Sequence, residues 1–284
     1  MGEPEIVVAR DVDDLAAKAA EMVIATIESA IRRRGRADLA LSGGSTPVAL
    51  YRALAGPPWR DRVDWSRVHL WLGDERFVPL DHPDSNAFLV EQTLLGSGAF
   101  SDQSGDGTKG TDVLGEQAPG VNLPATNMHP LPVREAIAAG RGAEWVAERY
   151  AAELADALPA GANGAPAFDL VLLGVGPDGH TLSVFPGSAV LDGGGPIVAA
   201  VPAPTHVSPH RPRITIDPRL LHSAGLVLVL VAGAEKAPVL RRVFDDPVDP
   251  KACPAQLARR DGMVWLVDEA AAAGLPSGLV PAAA

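Results

Sequence analysis

Asp38-Leu39-Ala40-Leu41-Ser42-Gly43-Gly44-Ser45-Thr46-Pro47 is the stretch whose reading decides the fold. An apolar run ends in two glycines, and a hydroxyl residue then stands before a proline. The pattern predicts a strand over 38–41, a turn, and a helix over 47–54, with Thr46 as N-cap and Pro47 at the first helical position. The same unit recurs outward in both directions. Apolar runs at 6–9, 68–72, 168–173, 226–231 and 263–267 read as strands, and 197–201 and 213–216 as weaker ones. Helical spacing of apolar residues falls between them, at 12–34, 85–95, 144–158 and 234–244. Runs apolar on both faces, alternating with helices, predict an α/β fold: an open, mostly parallel sheet with helices on both faces.

Two stretches break the pattern. Residues 96–124 are rich in Gly, Ser, Asp and Pro, and read as an exposed insertion. Residues 161–166 read as a shorter loop. Neither is flanked by two complete α/β patterns, so 1–284 is expected to form a single domain, with a frayed tail after 274.

Composition excludes several classes. With 47% hydrophobic and 21% charged residues, the 284-residue chain is not bulk disordered. It carries 24 Lys plus Arg against 35 Asp plus Glu, a formal net charge of -11. No nucleic-acid partner and no membrane partner is expected of such a chain, and an anionic ligand requires cations gathered locally. The one cysteine, Cys253, excludes an intrachain disulfide framework and any Cys-rich zinc site. It reads as a small apolar residue. The longest apolar run has the length of a buried strand, not of a membrane span. The N-terminus lacks the layout of a signal peptide, so the cytoplasm is the expected compartment.

Four segments could carry chemistry. In Ser42-Gly43-Gly44-Ser45-Thr46, glycines admit a close ligand and free N–H groups at a helix start favour an anion, which reads as a phosphate cradle. Asp74-Glu75-Arg76 follows a buried strand. It is either a ligand-facing cluster at the strand's carboxyl end or a solvated loop whose charges pair with each other. Gly174-Val-Gly-Pro-Asp-Gly179-His180 formally matches G-x-G-x-x-G, but Phe185-Pro-Gly187 follows too soon for the long helix of a dinucleotide site. Its distinctive feature is Asp178 two residues before His180, a carboxylate able to orient a general base. Arg213 precedes a weaker strand, and Lys236 lies near a helix start, where an anionic ligand would offset its misplacement against the helix dipole; taken alone, Lys236 reads as an exposed, solvated lysine. His206 and His210 have the spacing of a zinc pair, but Pro209 breaks the helix such a site needs.

Together these segments resemble the 6-phosphogluconolactonase family, which shares its fold with glucosamine-6-phosphate deaminase. The matching residues are Ser42-Gly-Gly-Ser-Thr-Pro47, Gly73-Asp-Glu-Arg76 with Val78-Pro79, Asp84-Ser-Asn86, Gly174 to Thr181 with Phe185-Pro-Gly187, Arg213-Ile-Thr215 and Gly233-Ala-Glu-Lys-Ala237. They run in family order across most of the chain. Residues 96–120 depart from it, being longer than the family's usual connection. The resemblance implies a modified Rossmann-like fold and hydrolysis of a sugar-phosphate lactone, with no cofactor and no metal. It implies His180 as general base and Asp178 orienting it or binding the sugar. Arg76 would stabilise an oxyanion or fix the substrate. Ser42, Gly43, Gly44, Ser45, Thr46, Arg213 and Lys236 would hold the phosphate, and Asp74 would bind substrate. The deaminase branch carries Asn-Glu-Pro where this chain has Phe185-Pro186, so the lactonase activity is expected. The assembly is expected to be a monomer or small homo-oligomer.

Overall fold

The computed structural model describes residues 3–96, 120–161 and 164–279. The strands are β1 (Glu5–Ala9), β2 (Ala37–Leu41), β3 (Val68–Leu72), β4 (Asp74–Arg76), β5 (Met128–His129), β6 (Leu170–Leu173), β7 (Val198–Val201), β8 (Arg213–Ile216), β9 (Leu226–Val231) and β10 (Met263–Asp268). Seven form one open sheet in the order β1-β10-β9-β6-β2-β3-β5, with every neighbouring pair parallel. In β2, β6 and β10 every residue is buried. Side chains alternate between the faces of a strand, so both faces of these strands are covered. This is the α/β architecture expected.

The helices are α1 (Val12–Arg34), α2 (Ser45–Ala55), α3 (Asn86–Val90), α4 (Val133–Ala138), α5 (Ala143–Ala157), α6 (Ala237–Asp245) and α7 (Glu269–Ala272). The bounds of α1 are those expected, because its local signals agree. Asp11 caps the start by accepting from the Asp14 N–H, Arg32, Arg33 and Arg34 occupy the last turn, and Gly35 closes the helix at φ 81°. Leu15, Ala19, Val23 and Ile27 form its buried stripe.

Local signals misplaced the start of α2. Gly44, not Thr46, is its N-cap, and Pro47 falls at the third helical position. The turn needs φ 101° at residue 44, which glycine adopts freely. Proline is tolerated at the third position because the N–H there has no intrahelical partner.

The sequence reading also missed strands. Asp74–Arg76, left outside the expected strands, is β4. It lies in a second, three-stranded antiparallel sheet of order β4-β8-β7, packed against α5. Nothing in its own alternation marks it; pairing with β8 makes it a strand. The two residues of β5 are too few to show a period.

Most of the insertion read at 96–124 lies outside the described residues, at 97–119. Its described ends meet, since the Val121 N–H donates to the Leu94 carbonyl at 2.9 Å. Toward the C-terminus Leu275 is buried and Leu279 packs against the core, while 280–284 lie outside the described residues. Among the described residues no helix is long and apolar enough to cross a membrane.

The order in which the chain adds strands reverses between β2 and β6. From β2 the chain steps through α2 to β3 on one side, and β6 pairs on its other side with β9. Such a reversal leaves a crevice at the carboxyl ends of the two strands. The Ser42 loop leaves β2 there, and the Gly174 loop leaves β6.

Candidate active site

On the β2 side of the crevice the strand ends are fixed by buried hydrogen bonds. Tyr51, fully buried on α2, accepts from the Ser42 N–H at 3.1 Å and donates to the Ser42 carbonyl at 2.7 Å. Tyr150 on α5 makes the same pair of bonds to Leu72, at 3.0 and 3.1 Å. Burial pushes both phenols above their ordinary pKa, so they remain donors. The ends of β2 and β3 are thus clamped one residue from Gly43 and Gly73. The start of α2 has no side-chain cap. Its free N–H groups and the Ser45 and Thr46 hydroxyls stand at the crevice.

Across the loop, β4 and β8 place Arg76 opposite Arg213 in register. Both guanidiniums are held from behind: Arg76 Nη1 donates to the Asp84 carbonyl at 2.5 Å, and Arg213 Nη2 to the Pro209 carbonyl at 2.9 Å. The Nε of each is buried without a hydrogen-bond partner among the described residues. Burial, and then the charge of Arg76, hold Arg213 below its ordinary pKa. Two guanidiniums side by side, incompletely bonded, on a chain of net charge -11, are poised for an anion.

Glu75, the residue before Arg76, does different work. Its carboxylate accepts from the Ser85 hydroxyl and from the N–H groups of Arg76, Asn86 and Ala87 at 2.7–2.9 Å. It therefore ties the start of α3 to β4. Burial pushes its pKa up against those four bonds. Asp74 accepts from the Ser183 hydroxyl at 2.6 Å and from Asn86 Nδ2 at 3.1 Å.

On the Gly174 loop, His180 Nδ1 lies 2.5 Å from Asp178 Oδ1. Burial alone would raise the Asp178 carboxyl; the bond and charge of His180 and the bond of His206 outweigh it and hold the carboxyl well below its usual range. Asp178 is therefore ionised and faces His180 Nδ1, which leaves Nε2 as the ring nitrogen outside this bond. The Phe185 ring packs 4.7 Å from the imidazole. Lys236, at the start of α6, donates to the Val175 carbonyl of the same loop at 2.8 Å.

One cavity of about 180 Å³ collects these groups. Ser42, Gly43, Gly44, Ser45, Thr46, Asp74, Arg76, His180, Arg213 and Lys236 all line it. Asp178 does not, and stands behind His180. The G-x-G-x-x-G match is followed by turns rather than a helix, as expected. Cys253 is buried, and its sulfur packs against Gly179.

A family model described as glucosamine-6-phosphate isomerases/6-phosphogluconolactonase matches residues 10–266. The chain belongs to this family. A 6-phosphogluconolactonase of Synechocystis is 35% identical over 273 residues, covering 96% of this chain and 98% of the relative. One of Streptomyces coelicolor is 35% identical over 283 residues, covering 99% and 98%. The solved structure of 6-phosphogluconolactonase from Trypanosoma brucei matches with a TM-score of 0.76 at 27% identity, covering 97% of this chain and all of that one, at 100%.

Within this family member the structure adds three side chains that sequence reasoning left unassigned. Asn86 lines the cavity, and a Cβ on Gly43 would lie 1.9 Å from its Oδ1. Ser183 secures Asp74. His206, weighed from sequence only as half of a zinc pair, hydrogen-bonds Asp178. Asn86 had a signal, since it closes the quoted Asp84-Ser-Asn86. The other two had none, because their partners are 109 and 28 residues away.

Proposed function

We propose that the protein hydrolyses 6-phospho-D-glucono-1,5-lactone to 6-phosphogluconate, the lactone step of the oxidative pentose phosphate pathway. The observation that carries this is the meeting, in one cavity, of an Asp178-backed His180 with the paired guanidiniums of Arg76 and Arg213. His180 Nε2 takes a proton from water as its oxygen attacks the lactone carbonyl. The tetrahedral intermediate expels the ring oxygen, and the proton passes from His180 to that oxygen. The phosphate sits on the free N–H groups and hydroxyls of 42–46, with Arg213 and Lys236 as counter-charges. Arg76, held by Asp84, supplies fixed positive charge beside it. Asp74 accepts from a sugar hydroxyl, because a carboxylate suits a donor and repels phosphate. Phe185 beside His180 cannot move a proton, which favours lactone hydrolysis over deamination. On this reading the chain acts as one α/β unit in the cytoplasm, as a monomer or small homo-oligomer.

Proton release from freshly made lactone, corrected for spontaneous hydrolysis, tests the reading. The phosphorylated lactone should be preferred over gluconolactone by roughly ten- to a hundred-fold in kcat/KM, the worth of one or two charge-assisted contacts. Glucosamine 6-phosphate should release negligible ammonia. His180→Gln should lower kcat by about 10²–10⁴-fold while 6-phosphogluconate still binds. Equal turnover of the two lactones, or efficient ammonia release, would sink the assignment.

A further inference from the structure

Asp178 is a carboxylate shared by two imidazoles. Its Oδ1 takes His180 Nδ1 at 2.5 Å and the His180 N–H at 3.2 Å, while its Oδ2 takes His206 Nε2 at 2.8 Å. His206 comes from the segment joining β7 to β8, far in sequence from the Gly174 loop. That segment is itself tied across the site. Arg213 reaches the Pro209 carbonyl, and Arg211 reaches the Asp84 carboxylate at 3.4 Å. The His206 ring also meets the edge of Phe185 at 6.0 Å, and Phe185 packs on His180.

We infer that His206 is a positioning residue for the reaction: by donating its Nε2–H to the second oxygen of Asp178, it fixes the carboxylate that orients the His180 base. A carboxylate bonded through one oxygen can turn about its Cβ–Cγ bond, and its partner imidazole turns with it. Bonds at both oxygens remove that freedom. The Asp178 side chain is only 16% exposed, whereas that of His206 is 50% exposed. His206 is thus the outer member of the chain of contacts, on the solvent side of the carboxylate. The role of His180 as base rests on the function proposed above; the contact between His206 and Asp178 does not.

Three proteins test this: wild type, His206→Ala and His206→Gln, the last because a glutamine amide N–H can replace Nε2–H as donor. His206→Ala should lower kcat by roughly 3- to 30-fold, the worth of a partly solvated bond to a charged group, and leave KM within about twofold. His206→Gln should recover most of the loss. Proton NMR of the free proteins supplies a readout that needs no turnover: the Nδ1–H resonance of His180 should shift in the alanine variant and return toward its wild-type position in the glutamine variant. Equal losses in both variants with lowered Tm or raised KM would make His206 a packing residue and overturn the inference. So would an unmoved resonance with unchanged kcat. A wild type that fails to hydrolyse the lactone while the resonance behaves as expected would remove the proposed reaction and leave the positioning of His180 by His206 standing.

Discussion

A Cβ on Gly176 would lie 2.0 Å from Nδ1 and Cε1 of His180 and 2.8 Å from Asp178 Oδ1. The imidazole and its carboxylate therefore occupy the space that any other residue at 176 would claim. The backbone reinforces this: the Gly176 N–H donates to the His180 carbonyl at 2.9 Å, and the Gly179 N–H to the Gly176 carbonyl at 3.0 Å. Gly176 is not at positive φ, so alanine there meets a collision rather than backbone strain. If His180 is the proposed base, Gly176→Ala should displace it by the order of an ångström and lower kcat by roughly 10²-fold, with a small change in stability. Kinetics paired with a thermal melt would check this. Full activity in the alanine variant would show that His180 does not need its observed position.

At the scale of elements, the site depends on helices that grip strand ends. Tyr51 holds Ser42 from α2, Tyr150 holds Leu72 from α5, and Glu75 holds the start of α3. The two tyrosines satisfy buried backbone groups at strand ends, and Glu75, from β4, the first N–H groups of α3; each brings a loop to a defined place. Tyr51→Phe would leave the N–H and carbonyl of Ser42 without that partner. The expected cost is about 1–3 kcal/mol of stability, because buried polar groups lose their bonds while the ring still fills its site. KM should rise as well, since the clamped residue begins the loop proposed to hold the phosphate. Denaturant melts and lactone kinetics measure the two effects. A phenylalanine variant with wild-type stability and KM would show that the Ser42 loop holds itself.

At the scale of the molecule, charge is segregated. Cations converge on the cavity at the carboxyl ends of β2 and β6, while a second charged network lies around Asp38 and Asp169. Asp38 is fully buried; it accepts from Arg36 at 2.5 and 3.0 Å, from Arg34 at 3.2 Å and from Trp71 at 3.1 Å. Arg34 also pairs with Asp169, whose carboxylate accepts the Asp38 N–H. Burial alone would raise the Asp38 carboxyl, but Arg36 above all, with Trp71 and Arg34, holds it below its ordinary value. The folded value thus lies below the unfolded one, which is about 3.9. The unfolded chain takes up the proton first, so this stabilisation is present above about pH 4 and is lost as pH falls through the folded value. Asp38→Asn should lower stability at pH 7 by about 1–3 kcal/mol and flatten the loss of stability below pH 4. Melts across that range decide it, and an acid slope identical to wild type would acquit Asp38.

The sequence by itself determined what neighbours in the chain can specify. The apolar runs within β2, β6, β9 and β10 were legible because a strand covered on both faces is mostly apolar, buried Asp38 in β2 being an exception. The bounds of α1 were legible because cap, charges and closing glycine all lie within it or beside it. That Ser42 to Thr46, His180, Arg213 and Lys236 would gather in one cavity, with Asp178 beside His180, was legible from motifs placed next to strands. Only the tertiary structure decided that β4 is a strand, that Arg76 faces Arg213, that Asn86 and Ser183 hold Asp74, and that His206 closes on Asp178. Periodicity and capping act over a few residues and leave a local trace. Strand pairing and buried hydrogen bonds between distant segments arise from how the whole chain packs, and a residue such as His206 bears no local mark of the partner it will meet.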